Sequence, residues 1–411
     1  MTNPKSKGLL RRFAGDSVWT IAGLILMNAA AQFGIYPIWN RQMGNEAYGQ
    51  VLYLIAGMNI LAISMGAACN YGRMRASAEG PTGNRTYNRI LLVASGAAIP
   101  YMALVYLLSG NTGRPVAEIP LAMLLCVATM WRYYADVGYR LALNYRGCFV
   151  YYAVISAGYA VGIGLFLWLG LWPLALLPGE LAGLALVYFT GDTLRSEPAA
   201  GGDDRWIVKI VLTLWTTEVI SNLIANGDRV LLNWVLGGTA VTFYYQATLV
   251  GKTMSLITTP LNSVLIGYLA RSKQRFTRGL MMRVTGLSLA ALAVGTAGCV
   301  LGSHILIRLL YPQNYDLVRG YFWLASLGQA AFFTSGVAAT VLLRYCRVRY
   351  QLVINVVYAV LFVGLGLPAV LQGGLEYFCA AVALAGLGKL ACVLILGFRD
   401  AETDGREETN E

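Results

Sequence analysis

Eight charged side chains stand well inside long apolar stretches of this 411-residue chain: Arg132, Asp136, Glu180, Glu218, Asp228, Arg229, Lys252 and Lys389. A ninth, Arg41, closes the first such stretch. A charge at mid-bilayer costs about 2.5–3.5 kcal/mol on insertion scales, so such residues face a cavity or a partner. Lys252 lies about twelve residues into its stretch, about 18 Å of helix, which is near mid-depth. Arg229 and Arg41 stand towards the ends of theirs. Arg and Lys supply charge-assisted hydrogen bonds to phosphate oxygens, so these three cations together suit an oxyanion.

The remaining charges read differently. Arg132, Asp136 and Arg140 recur every four residues, which predicts one helix face and a self-paired strip. Glu218 leaves two readings open: a group that takes up and releases a proton, or a partner for Lys252. Asp228 precedes Arg229 directly and joins Glu218 and Asp136 as a coupling or ion-pairing candidate. Glu180 and Lys389 fall at similar depth in the last stretch of each half, where a structural role is expected. The only histidine is His304 and the seven cysteines form no CxxC pair. No His-based metal centre, catalytic triad or cofactor is therefore expected, and the cysteines read as small buried hydrophobes. Gly251-Lys252-Thr253 mimics the end of a phosphate loop, but Gln246 stands where that pattern needs Gly.

The elements that carry these residues are apolar runs of bilayer length. Hydrophobic residues make up 57% of the chain and charged ones 12%, against about 25% charged in soluble domains. Runs of about 20 apolar residues span a bilayer. They are read at 17–40, 47–71, 89–110, 117–138, 149–169, 172–191, 209–235, 241–269, 284–303, 320–343, 350–371 and 376–398. The fold class expected is an all-α integral membrane protein of about twelve transmembrane helices. With the N-terminus inside, Arg and Lys concentrate in the cytoplasmic segments (Lys5 to Arg12, Arg73 to Arg89, Arg271 to Arg283, Arg344 to Arg349), and the other side keeps only Arg41, Arg114, Arg308 and Arg319. That asymmetry is the positive-inside pattern and puts both termini in the cytoplasm. It also accounts for the net charge of +11 without nucleic acid.

One polar, Pro/Gly-bearing break divides the runs six and six. The expected organisation is an N-terminal six-helix lobe (1–191), a cytoplasmic linker (192–208), a C-terminal six-helix lobe (209–398) and an acidic tail (399–411). The halves echo each other: aligning Asn40 with Asn233 also aligns Gly44 with Gly237, each between a half's first and second runs. Such echoes suit two pseudo-symmetric bundles. Pro37 reads either as a bend or as the end of its helix, and Pro260 as a bend within the eighth run. Tyr244, Tyr245 and Trp215 are candidates for stacking on sugar rings.

The chain resembles the polysaccharide-exporter families of the multidrug/oligosaccharidyl-lipid/polysaccharide flippase superfamily. The resemblance rests on Arg41, Gly44 and Tyr48-Gly49 after the first run, and on Asp228-Arg229-Val230-Leu231-Leu232 before Gly237. It continues through Leu310 to Tyr315, Leu327-Gly328-Gln329 and Gln351 to Asn355. It departs from the pattern at Pro312, where the family loop has Gly, and at Thr242, in place of a Gly of the second turn. The resemblance implies an inner-membrane flippase that moves an undecaprenyl-pyrophosphate-linked oligosaccharide by alternating access, for surface polysaccharides such as O-antigen and lipopolysaccharide. It also implies the bilayer and polysaccharide polymerase machinery as partners. Lys252, Arg229 and Arg41 would then meet the pyrophosphate.

Two alternatives stay open. A multidrug exporter of the same superfamily would favour an acidic, aromatic cavity for cationic drugs. A membrane enzyme polymerising lipid-linked glycans would need a sizeable outer loop, and residues 304–319 offer no paired carboxylates there. An enzyme is not expected.

Overall fold

The computed structural model describes residues 18–80, 83–110, 115–195, 204–254, 258, 276–347 and 349–401. Basic residues 5–12, 114 and 271–275, Pro260, linker residues 196–203 and the tail beyond 401 lie outside the described residues. Every long element among the described residues is a helix, so the chain is an all-α membrane protein. Seven of these helices are long and apolar enough to cross a bilayer. Their outward side chains are apolar as well: Leu107, Trp168 and Val294 are each more than 70% exposed. Water would penalise such a surface and lipid does not.

Helix α1 covers Val18–Glu79, about 93 Å at 1.5 Å per residue and three times what one crossing needs. It is divided at Gly44, whose φ of 79° and ψ of 173° are open essentially to glycine alone. Asn40 donates across the break to Asn45 Oδ1 at 2.9 Å. Pro37 does not end its helix. It sits in the first turn of the α-helical part, directly after a π-helical stretch at Ala30–Ile35. The wider hydrogen-bond spacing there (Tyr36 N–H donates to Ala31 O) absorbs the donor that proline lacks.

The remaining helices of the first half are α2 (Arg85–Leu108), α3 (Glu118–Ala135), α5 (Tyr145–Leu169) and α6 (Leu177–Thr190), with a short turn α4 (Val137–Leu141) between α3 and α5. Asn144 caps α5 by accepting from Gly147 N–H at 2.9 Å, and Gly170 ends it in the left-handed region. Then come α7 (Asp204–Leu236), α8 (Gly238–Thr253), α9 (Arg278–Leu310), α10 (Phe322–Tyr345) and α11 (Arg349–Asp400). Gly237 enters α8 with φ 82° and ψ −178°, within about ten degrees of Gly44. The glycine pair that the sequence aligns thus shares one rare backbone conformation. Gly374 breaks the 52-residue α11 in the same region of φ.

By contacts the chain forms two compact units, Met1–Asn233 and Trp234–Glu411. Helix α7 groups with the first: Val211 lies against Gly72, and Asn222 donates to Ser64 Oγ at 3.1 Å. The contact boundary and the composition break at 192–208 therefore differ by the length of α7. All seven cysteines are unbridged and five are buried.

Close helix packing in the first unit depends on glycine. Gly158 of α5 faces Gly179 of α6 so tightly that a Cβ on Gly158 would stand 2.5 Å from the Gly179 Cα. Between lipid-embedded helices this contact replaces the hydrophobic drive that water would supply. Gly158→Val is expected to force the helices apart, cost about 1–3 kcal/mol and lower the melting temperature in detergent. Gly164→Val on the same helix, where a Cβ meets nothing within 4 Å, should leave it unchanged. Equal melting of the two variants would refute the seam.

Candidate functional site

Two ion pairs, one buried and one half-buried, organise the first unit. The Arg132 guanidinium of α3 meets the Glu180 carboxylate of α6 at 2.5 Å, and both side chains are under 10% exposed. Tyr159 donates to Glu180 Oε1 at 2.8 Å, Tyr151 donates to the Arg132 carbonyl at 3.1 Å, and the guanidinium lies 4.3 Å from the Tyr133 ring centre. One turn on, Asp136 accepts from Arg140 at 2.6 and 2.9 Å, from Tyr152 at 2.8 Å and from Asn70 at 2.5 Å. Buried charges persist only when paired and hydrogen-bonded in this way.

The strip expected from the four-residue spacing is thus half present. Asp136 does pair with Arg140, but Arg132 turns to Glu180 on another helix, because α3 ends at Ala135 and a new short helix begins at Val137. The tyrosine partners escaped the sequence reading. Their signal was the spacing Tyr151, Tyr152, Tyr159: seven or eight residues, two helical turns, place the hydroxyls on one face of α5.

The proposed oxyanion-binding cations are distributed over both units. Arg229 and Asp228 are buried, and Asp228 Oδ1 accepts from the Arg229 backbone N–H at 2.8 Å. Arg229 lies within electrostatic reach of the Tyr36 hydroxyl. Tyr36 stacks on Trp39 at 5.3 Å and meets Tyr48 edge-on. Arg41 is exposed, two residues beyond Trp39 on the same helix. Arg229, Arg41 and this aromatic cluster all belong to the first unit. Glu218 is half-buried on α7 within electrostatic reach of Tyr71.

In the second unit Lys252 is half-buried, its ammonium 5.9 Å from the Tyr244 ring centre. Tyr244 is buried and packs edge-on to Phe378 at 5.2 Å, and Tyr245 is also buried. Neither presents a free face for a sugar in this conformation. Rings continue from Phe378 to Phe362 and Tyr358. Beyond them Lys389, 6% exposed, sets its ammonium 3.8 Å from the Phe332 centre and 5.2 Å from Tyr358. Among the described residues Lys389 has no carboxylate partner, and desolvated cation–π contacts of about 2 kcal/mol each offset part of its burial. Two lysines thus cap one chain of aromatic rings. Nothing in local sequence spacing announces that chain, because its members come from three helices.

No protein-family model and no curated protein matches the sequence. Solved structures do match in fold. The lipid II flippase MurJ, in an inward closed conformation, superposes with a TM-score of 0.65 at 12% identity, over 93% of this chain and 86% of that one. A MOP superfamily transporter from Pyrococcus furiosus, described as having a binding pocket of reverse polarity, gives 0.62 at 14% identity over 93% of both chains. A variant of the Vibrio cholerae MATE transporter VcmN gives 0.59 at 13% identity, over 97% of this chain and 98% of that one. At such identities the likeness establishes the fold.

Proposed function

We propose that the chain is a flippase that moves an undecaprenyl-pyrophosphate-linked oligosaccharide across the cytoplasmic membrane, for surface polysaccharide such as O-antigen. It would have twelve crossings, both termini in the cytoplasm, and work by alternating access of two six-helix lobes. By sequence α7 belongs to the second lobe in this reading, and by contacts to the first unit. The observation that carries the proposal is the placement of three cations, Arg229, Lys252 and Arg41, in or at the ends of apolar helices. Arg229 is buried, Lys252 is half-buried, and Arg41 stands beside the Gly44 break. An anionic headgroup cannot cross hydrocarbon unaided, and these are the groups that hold phosphate oxygens. The MurJ-like fold supports the same substrate chemistry. Glu218 and Asp228 are the coupling candidates, with Asp136 assigned by its saturated contacts to structure. Export needs no bond-making, so no enzymatic step is proposed.

A multidrug exporter is the second reading, favoured by the MATE-like fold over nearly the whole chain. Proteoliposomes separate the two. Reconstituted protein should expose a fluorescent undecaprenyl-pyrophosphate oligosaccharide, loaded in one leaflet, to a quencher added on the other side, and should leave a lipophilic cationic dye unmoved. Dye extrusion without glycan movement would replace the flippase by the exporter.

A further inference from the structure

At the end of α9 a cleft of about 500 Å³ is lined by His304, Ile305, Arg308, Leu309 and Tyr315. His304 and Arg308 are one helical turn apart and share a face. Tyr315, in the turn beyond α9, shares a 2.8 Å hydrogen bond with His304 Nδ1. Phe322 meets the imidazole edge-on at 5.0 Å. The ring is thereby held in place, and when the tyrosine donates, Nε2 carries the proton. Arg308 is exposed and lies 5.9 Å from the Tyr315 ring centre. Among the described residues it pairs with no carboxylate, since the neighbouring Asp316 is engaged by Arg319 at 3.5 Å.

The surroundings identify the occupant. Leu301, Ile305 and Leu309 recur every four residues along α9 and are 65–71% exposed, forming an apolar rail one residue away from the two polar side chains. A soluble anion gains nothing from that rail; an acyl chain does. One water's share of liquid volume is about 30 Å³, so the cleft admits a headgroup. We propose that His304 and Arg308 hold the phosphodiester of an anionic glycerophospholipid of the surrounding bilayer, with an acyl chain lying along Leu301, Ile305 and Leu309. The guanidinium offers a two-pronged donor and Nε2–H a third. This site is separate from the substrate assignment above and stands whether the cargo is a glycan or a drug.

Native mass spectrometry of the full-length protein in mild detergent tests it, with phosphatidylglycerol and phosphatidylcholine added in equal amounts. The parent protein is expected to retain one phosphatidylglycerol in preference to phosphatidylcholine. Each of Arg308→Ala and His304→Ala should weaken retention about tenfold, the loss of one charge-assisted hydrogen bond, while Arg308→Lys keeps part of it. Size-exclusion profiles identical to the parent's show that the variants are folded. Should His304→Ala disturb folding, Ile305→Glu supplies the readout, because its carboxylate repels the phosphate from an exposed position. Equal retention of both lipids, undiminished retention in Arg308→Ala, or displacement by inorganic phosphate as readily as by phosphatidylglycerol would overturn the proposal.

Discussion

Glu180→Leu is expected to deplete the folded protein from the membrane, because it strands the Arg132 guanidinium among buried side chains. Removing one partner of a buried pair costs about 3–5 kcal/mol, a large part of the stability of any domain. Arg132→Met should do less harm. A carboxyl left alone can neutralise itself by taking a proton, whereas a guanidinium stays charged, and Tyr159 still donates to Glu180. The double variant Arg132→Met with Glu180→Leu should regain most of the loss, since two apolar side chains replace two desolvated charges. Membrane abundance and melting temperature in detergent measure all three. A Glu180→Leu protein as stable as its parent would mean that the pair does not hold α3 to α6.

Lys252→Ala is expected to slow glycan translocation about ten- to hundredfold while the protein remains at its normal level. A charge-assisted hydrogen bond to a phosphate oxygen is worth about 1.5–3 kcal/mol, which is roughly a ten- to hundredfold loss in translocation rate. Lys252→Arg keeps the charge and should retain part of the rate. The half-buried position of Lys252 means that little core packing is lost on truncation, so abundance and transport separate cleanly. Lys389→Met provides the contrast: that ammonium is enclosed by Phe332 and Tyr358, and its replacement acts through packing of the second unit. Normal translocation by Lys252→Ala would remove the cation from the substrate path and with it the assignment of Arg229 and Arg41.

Much of this molecule is legible in its residues. The length of the apolar runs and the clustering of Arg and Lys between them require a multi-pass helical membrane protein, because lipid leaves a backbone no other way to satisfy its polar groups here. Gly44 and Gly237, aligned by a weak internal echo, adopt one backbone conformation, since a positive φ with ψ near 180° excludes a side chain. The partner of each buried charge was decided elsewhere. Arg132 selects Glu180 across 48 residues rather than Asp136 four residues away, and Lys252 and Lys389 share a chain of rings drawn from three helices. Periodicity does not reveal such choices. In water a helix advertises its inner face by being apolar on one side and polar on the other. In a bilayer both faces are apolar, so which side of α3, α5 or α10 turns inward emerges only when glycine contacts, hydroxyl donors and the few charges close on one another in three dimensions.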